Sequence, residues 1–420
     1  MERATGVLGL FVMIGVCWLL SANRRKQDLR LIVSGVLLQF GLAALILKTG
    51  PGLQFFQGAE AVVKKLVQFS DEGAAFVFGG GPNADSFKEH FIAFSVLPTI
   101  VFVSSLTAVL FHVGLLQLIV KAMARIMVWV MDTSGSESLA AAANVFIGQT
   151  EAPLVVRPYL ETMTRSELMA LMTGGMATIA GGVMAAYVGM GASAGHLLAA
   201  SIMSAPAALV CAKIMVPETE ESVTKGVVKI EIPRQDANIL DAACRGASDG
   251  LFLALNVGAM LIAFMALVPM FNWLLGGAQF WAVAVFAGKS GAAEVVTQPV
   301  TFEKLVGWLS APLAWVMGVE WKDAIRVGQL LGERVIMNEF VAYLHLTSAD
   351  FKEALSPRSF TIATYALCGF ANFGSIAIQI GGIGGLVPRR RKEFAALAFK
   401  AMLAGMLASY MTATIAGILI

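Results

Sequence analysis

The sequence predicts an all-α integral membrane protein of about eight transmembrane helices, with interfacial helices and two opposed re-entrant hairpins arranged as an inverted repeat. Three observations carry that expectation: a composition too apolar for water, uncharged runs of helix length, and a repeated order of features around two glutamates. Of the 420 residues, 57% are hydrophobic and only 14% charged, with 42 Gly and 21 Met. The mean hydropathy is +0.76. Soluble domains carry roughly 25% charged residues, so this chain cannot cover a water-facing surface. A net charge of +2 gives no basis for nucleic-acid binding. Disorder, coiled coil and a secreted disulfide scaffold are excluded by the same composition.

A hydrocarbon core about 30 Å thick needs about 20 apolar residues per helix. Uncharged runs meet this at 4–23, 31–47, 91–120, 168–212, 251–288, 359–388 and 401–420. The run 168–212 is too long for one span and divides at Gly191-Ala192-Ser193-Ala194-Gly195. The first run opens with Glu2 and Arg3 and lacks a small-residue cleavage site followed by a soluble domain, so it reads as a membrane helix and not a removed signal. Segment 54–69 mixes Phe55, Phe56, Val62 and Leu66 with Glu60, Lys64 and Lys65, the pattern of a helix lying in the interface. Segments 116–131 and 302–317 have the same character.

Positive charge sets orientation. Arg24, Arg25, Lys26 and Arg30 separate the first two spans, and Arg389, Arg390, Arg391 and Lys392 separate the last two. Both clusters are expected at the cytoplasmic face of the inner membrane, with both termini outside and the charged connector 217–235 inside. Cys17, Cys211, Cys244 and Cys368 lie far apart without CxxC spacing and read as free thiols. His90, His112, His196 and His345 form no local metal-ligand pattern.

The chain repeats itself weakly. Trp129-Val130-Met131 recurs as Trp315-Val316-Met317, and each is followed by a Glu in a moderately apolar stretch: Glu151 after Gly148-Gln149-Thr150, and Glu339 after Asn338. A Gly-rich apolar run follows each, at 174–191 and 369–385. Arg125 and Arg165 both belong on the cytoplasmic side, so the segment between them must enter the membrane and return. The second unit, starting from the opposite side, becomes its inverted partner, as in many secondary transporters. An ionised side chain at mid-bilayer costs at least about 2.5–3.5 kcal/mol, so Glu151 and Glu339 require a polar cavity or a partner. Simple ion pairs, Glu151 with Arg157 and Glu339 with Arg334, are the plainer alternative, although they leave Gln149, Thr150 and Asn338 without a purpose. Thr178 and Asn372 sit within Ala177-Thr178-Ile179-Ala180-Gly181-Gly182 and Phe370-Ala371-Asn372-Phe373-Gly374-Ser375, where a broken helix frees backbone carbonyls for a cation. Glycine-mediated helix packing accounts equally well for the glycines alone.

At Gly148-Gln149-Thr150-Glu151, Asn338-Glu339-Phe340-Val341-Ala342 and Phe370-Ala371-Asn372-Phe373 with Ser375, the sequence resembles the concentrative nucleoside transporter family, over nearly its whole length. The resemblance implies a homotrimer and an elevator-type carrier. Its scaffold comprises 1–115 and 237–300, the latter with the trimer-contact span, and its transport domain 116–236 and 301–420. It implies that Gln149, Thr150, Glu151 and Val183 read the nucleobase. Glu339, Asn372 and Ser375 hold the ribose, with Phe370 lining the site. The implied sodium ligands are Asn144, Thr178 and the carbonyls of Ile147 and Ile179. Many relatives carry Ser where this chain has Thr178, and the hydroxyl survives. Proton-coupled members lack the Asn, so Asn144 favours sodium as the coupling ion, and no other cofactor is implied.

The expected function is therefore sodium-driven symport of nucleosides, with no covalent chemistry. Proton coupling through Glu151 or Glu339 is a rival, as is a channel whose hairpins form a filter. An enzyme is disfavoured: the Gly-x-Ser-x-Gly string at 191–195 reads as a loop between helices.

Overall fold

The computed structural model describes residues 2–79, 91–226, 236–297 (side chains to 285) and 300–420. His90 and the second half of the connector 217–235 lie outside the described residues. Among the described residues every regular element is helical, with one isolated bridge between Ser134 and Lys225.

Three helices open the chain: α1 (Glu2–Leu19), α2 (Leu29–Lys48) and α3 (Gly50–Phe78). A π turn at Ile92–Val96 leads into α4 (Leu97–Val113). Two units of the same design follow. The first is α5 (Leu115–Met131), the arms α6 (Gly135–Ala143) and α7 (Ala152–Val155), a helix broken into α8 (Arg165–Ala177) and α9 (Gly181–Gly189), and α10 (Ala194–Met215). The long α11 (Ile239–Thr297) intervenes. The second is α12 (Phe302–Val316), the arms α13 (Ala324–Ile336) and α14 (Glu339–Leu346), the short α15 (Ala349–Ala354), a helix broken into α16 (Pro357–Leu367) and α17 (Phe373–Leu386), and α18 (Arg391–Leu419).

The Trp-Val-Met repeat has a structural meaning. It ends α5 and α12, and the next residue in each case takes left-handed backbone: Asp132 at φ 56° and Gly318 at φ 94°. That conformation stops a helix and turns the chain into the first hairpin arm. Asp132 is a residue type that tolerates it, and Gly318 carries no Cβ to resist it.

Both hairpins leave and return at one end, and their feet are tied. At the first, Ser134 Oγ donates to Glu167 Oε1 at 2.5 Å, joining the start of α6 to the start of α8. Ser134 and Thr164 also close capping boxes with Glu137 and Glu167, which satisfy the free amides of both helix starts. At the second, Ser356 N donates to Asp323 Oδ2 at 3.1 Å. The two pairs of feet lie at opposite ends of the molecule. Arg390 donates to the carbonyls of Leu160 and Met163 beside the first, and Ala22 N donates to Met215 O nearby. Arg358 Nε donates to Gly318 O beside the second. Arg3 donates to Ile420 O, so the two termini share the end opposite the Arg-rich loops.

Among the described residues seven helical stretches are long and apolar enough to cross a membrane, and the broken α16–α17 supplies a shorter apolar half, Phe373–Leu386. The reading of about eight spans stands with three corrections of extent. The run 91–120 is two helices, because Gly114 at φ 95° ends α4 before α5 begins. The run 251–288 is the middle of a 59-residue helix. Its first turns carry Asp241, which accepts from Ala237 N, and Arg245 and Asp249, which pair with each other, so these charges do not interrupt it. The amphipathic segment 54–69 is likewise the middle of α3, which packs on α2, α4 and α10.

Packing sorts the helices. α4 lies along α11 in the most extensive pairing of the fold, and Gly250 allows it: a Cβ there would stand 2.8 Å from Val101 Cα and from Ser104 Cβ. α10 and α18 pack together with α8, α16 and α17 around the two units, and α1 and α2 lie against them.

Candidate functional site

Each hairpin tip is an interruption between two short helices, which leaves backbone and side-chain polar groups without helical partners. At the first tip the chain leaves α6 at Asn144 and re-enters at α7. At the second it leaves α13 at Ile336 and re-enters at α14, where the Asn338 side chain caps the helix by accepting from Val341 N at 2.9 Å. The broken helices bring their gaps to the same place. Phe370 N donates to Thr178 O at 3.3 Å, so one break rests on the other. At the second break the Asn372 side chain caps α17 through Ser375 N at 2.8 Å.

These four interruptions surround a cavity of about 460 Å³, a size suited to a small polar ligand. Gln149, Thr150, Glu151, Val183, Glu339, Phe370, Asn372 and Ser375 all line it. Every substrate-site residue proposed from sequence therefore converges on one space. The opposite wall comes from α4 and one face of α11, including Thr107, Arg245, Asp249 and Asn256.

The second tip is tightly organised. Tyr187 OH donates to Glu339 Oε1 at 3.0 Å and Asn372 Nδ2 donates to Oε2 at 2.9 Å. Tyr187 is fully buried and stacks on Tyr343 with ring centroids 4.2 Å apart, which fixes the phenol. Carboxylate oxygens offer about four lone-pair sites, so two remain for a ligand. The N-termini of α14 and α17 direct their positive dipole ends toward the same carboxylate.

The first tip is arranged differently. Gln149 Nε2 donates to Ser375 Oγ at 3.2 Å, and Gln149 Oε1 accepts from Gln379 Nε2 at 3.1 Å, binding this tip to α17. Glu151 is half-buried, and its one hydrogen-bond donor among the described side chains is Thr150 Oγ1 at 2.9 Å. Thr150 is exposed to the cavity.

The ion-pair alternative is overturned at both acids. Arg334 is fully buried, but it donates to the carbonyls of Gly369 and Ala366 and to Ser409 Oγ, not to Glu339. Arg157 is exposed and forms no ion pair with Glu151 among the described residues. At the cavity rim, Arg245 holds Asp236 in a two-pronged pair at 2.6 and 3.0 Å. The guanidinium keeps the Asp236 carboxyl below the usual carboxylate range.

The residues suggested for sodium fit a hard cation. Asn144 is buried; its Nδ2 donates to Ala140 O at 3.0 Å, while its Oδ1 is buried with no hydrogen-bond partner. Thr178 Oγ1 donates to Gly174 O at 3.0 Å, leaving its lone pairs free. The carbonyls of Ile147 and Ile179 lie in the two interruptions and accept no hydrogen bond from the described residues. An uncompensated amide oxygen in the membrane interior is costly, and a cation would satisfy it.

Three contributors escaped the sequence reading. Tyr187 carried no local signal, being one aromatic residue in an apolar run. Gln379, fully buried, was detectable as a second amide, after Asn372, in the apolar run 359–388. Glu167 was detectable from Thr164-x-x-Glu167, the capping-box pattern.

Comparison with known proteins gives concordant results. Family models described as the N-terminus and C-terminus of Na+ dependent nucleoside transporters match residues 8–81 and 196–417, and one described as a nucleoside-recognition gate matches 93–194. An uncharacterized transporter of Haemophilus influenzae is 43% identical, covering 100% of this chain and 98% of its own. Human solute carrier family 28 member 3 is 40% identical over 98% of this chain, which spans 59% of that longer protein. The solved structure of CNTnw in an inward-facing substrate-bound state is 40% identical and superimposes with a TM-score of 0.89, covering 100% of this chain and 98% of that one.

Proposed function

The chain belongs to the concentrative nucleoside transporter family, and from that premise we propose how its cavity works as a sodium-coupled nucleoside carrier. Sodium-coupled transport of nucleosides across a membrane, by a multi-pass protein and without covalent chemistry, is the function. The observation that carries the finer reading is the convergence of both hairpin tips and both helix breaks on one cavity.

Glu339, with Asn372 and Ser375, takes the ribose. A clamped carboxylate accepts two vicinal hydroxyls through charge-assisted bonds, which are about twice as strong as neutral ones. Phe370 lines the sugar side. Gln149, Thr150, Glu151 and Val183 take the base, where amide, hydroxyl and carboxylate meet its mixed donors and acceptors. Asn144, Thr178 and the carbonyls of Ile147 and Ile179 hold sodium. The ion organises the first tip and the α8–α9 break, and both carry groups that line the cavity. Binding of ion and solute is thereby linked.

The α4–α11 pair serves as the stationary scaffold, and the two repeated units form the body that carries solute past it. The scaffold is drawn from 49–115 and 237–300, and the moving body from 116–236 and 301–420 together with α1 and α2, which the sequence alone places in the scaffold. The packing of α1 and α2 on α10 and α18 supports assigning those two helices to the moving body. Three copies associate through the exposed face of α11, in the cytoplasmic membrane of the cell. The Arg-rich loops face the cytoplasm and the termini face outward.

Uptake of labelled uridine into proteoliposomes tests this reading. An inward sodium gradient is expected to drive accumulation, and a proton gradient alone is not. Equal uptake with and without sodium would reject the coupling. Asn144→Leu is expected to raise the half-saturating sodium concentration by at least about tenfold, the cost of one lost buried polar contact.

A further inference from the structure

A buried glutamine stands behind the cavity wall and has no part in the reading above. Gln379 is fully buried on α17 and, unlike Gln149 and Ser375, does not line the cavity. It shares a face of α17 with Ser375, one helical turn earlier. Its Nε2 donates to Gln149 Oε1 at 3.1 Å and to Met172 O, in α8, at 3.0 Å. Its Oε1 is buried with no hydrogen-bond partner among the described residues. Gly175 makes room for the contact: a Cβ there would stand 2.7 Å from Gln379 Nε2 and 2.9 Å from Gln149 Cβ. A buried amide with an unanswered oxygen costs stability, and an apolar side chain of the same length would fill the place without that cost.

The bonds decide which way each amide faces. Met172 O is a main-chain carbonyl and can only accept, so it takes the NH2 end of Gln379. That end also meets Gln149, which answers with its oxygen. The Gln149 NH2 is thereby turned to Ser375, donating to Oγ at 3.2 Å. Ser375 Oγ accepts there and keeps its own proton to give. This part of the wall therefore offers donors, the second N–H of Gln149 and the Ser375 hydroxyl. We propose that Gln379 is a positioning residue: through Gln149 it holds the first tip in this donor orientation, and so favours solutes that present an acceptor there, such as a base carbonyl or ring nitrogen. The inference rests on the nucleoside reading, in which Gln149 takes the base, and deepens it. Without Gln379 the Gln149 amide is free to turn, and its oxygen competes with its NH2 for the solute.

A double-mutant cycle on purified protein in sodium tests the proposal, with Kd measured for uridine and adenosine. Gln379→Met keeps the side-chain length and removes both donors. It is expected to weaken uridine binding by about fivefold in the otherwise wild-type protein, the worth of one net hydrogen bond. With Gln149→Ala already present, the same substitution is expected to leave the Kd within about twofold. An equal loss in both backgrounds, or no loss in either, overturns the proposal, because a purely structural tie acts whether or not the Gln149 amide is there. Should Gln379→Met fail to fold, Gln379→Leu takes its place, and failure of both marks a structural tie and equally overturns it. If Gln149→Ala binds neither nucleoside, the ratio of Kd between uridine and adenosine decides: Gln379→Met is expected to change it by about threefold, and an unchanged ratio overturns the proposal. Failure of the wild type to bind any nucleoside would reject the transport reading itself, and that result needs no variant.

Discussion

The two hairpins place a glutamate at equivalent points of a repeated design, yet they hold it in opposite ways. Glu339 is buried and clamped by Tyr187 and Asn372, while Glu151 is half-buried beside the exposed Thr150. A clamped acceptor suits a ligand group that never varies, because it is preorganised and its ordering cost is met on folding. A looser acid, with a hydroxyl free to turn, suits a group that differs from one ligand to the next. Inverted repetition thus supplies two acids to one cavity, and different neighbours fit them for different tasks. The first tip adds a further specialisation: Asn144 Oδ1, buried without a partner, has no counterpart at the second tip, where Asn338 caps α14.

This contrast can be broken by substitution. Glu339→Gln leaves Tyr187 and the α14 and α17 N-termini facing a neutral group, and nucleoside affinity is expected to fall by about 100-fold. A KM within twofold of wild type in sodium-driven uptake would end the ribose assignment. Tyr187→Phe removes one donor and keeps the ring stack; an affinity loss of about tenfold, similar for all nucleosides, is expected from equilibrium binding. Thr150→Val, at the looser tip, should cost about threefold and unequally among bases. An equal loss across bases would place Thr150 with the clamped group instead.

The smallest effect belongs outside both hairpins. Asp236 has its folded pKa depressed by Arg245, so the pair contributes stability above the unfolded carboxyl value of about 3.9. That contribution is lost as pH falls through the depressed folded value. The melting temperature should therefore be insensitive to this pair between pH 5 and 8, and Asp236→Asn should lower it by no more than about 2 °C there.

Much of this was legible in the residues because the bilayer makes sequence explicit. A carboxylate, an amide or a hydroxyl in an apolar run has to be accounted for, so Glu151, Glu339, Asn372 and Thr178 stand out in the sequence. The Trp-Val-Met recurrence marked the repeat because the same helix end is built twice. Contacts between distant segments were not legible. Nothing local tells that Tyr187 reaches Glu339, or that Arg334 turns away from it to backbone carbonyls. Helix ends do not follow charge: Asp241, Arg245 and Asp249 lie inside α11, where Arg245 pairs with Asp236 and Asp249 and Asp241 accepts from Ala237 N, so the charges are satisfied without ending the helix. The sodium ligands proposed at Ile147 and Ile179 are main-chain oxygens, and side-chain identity at those positions carries no trace of such a role.

The division of labour between the tips is tested most directly by crossing solute analogues with one variant. Binding of uridine and 2′,3′-dideoxyuridine to purified protein in sodium is to be measured for wild type and for Glu339→Gln. If Glu339 holds the sugar hydroxyls, the wild type prefers uridine by about 100-fold, and the variant binds the two compounds nearly alike. An undiminished preference for uridine in Glu339→Gln would contradict it.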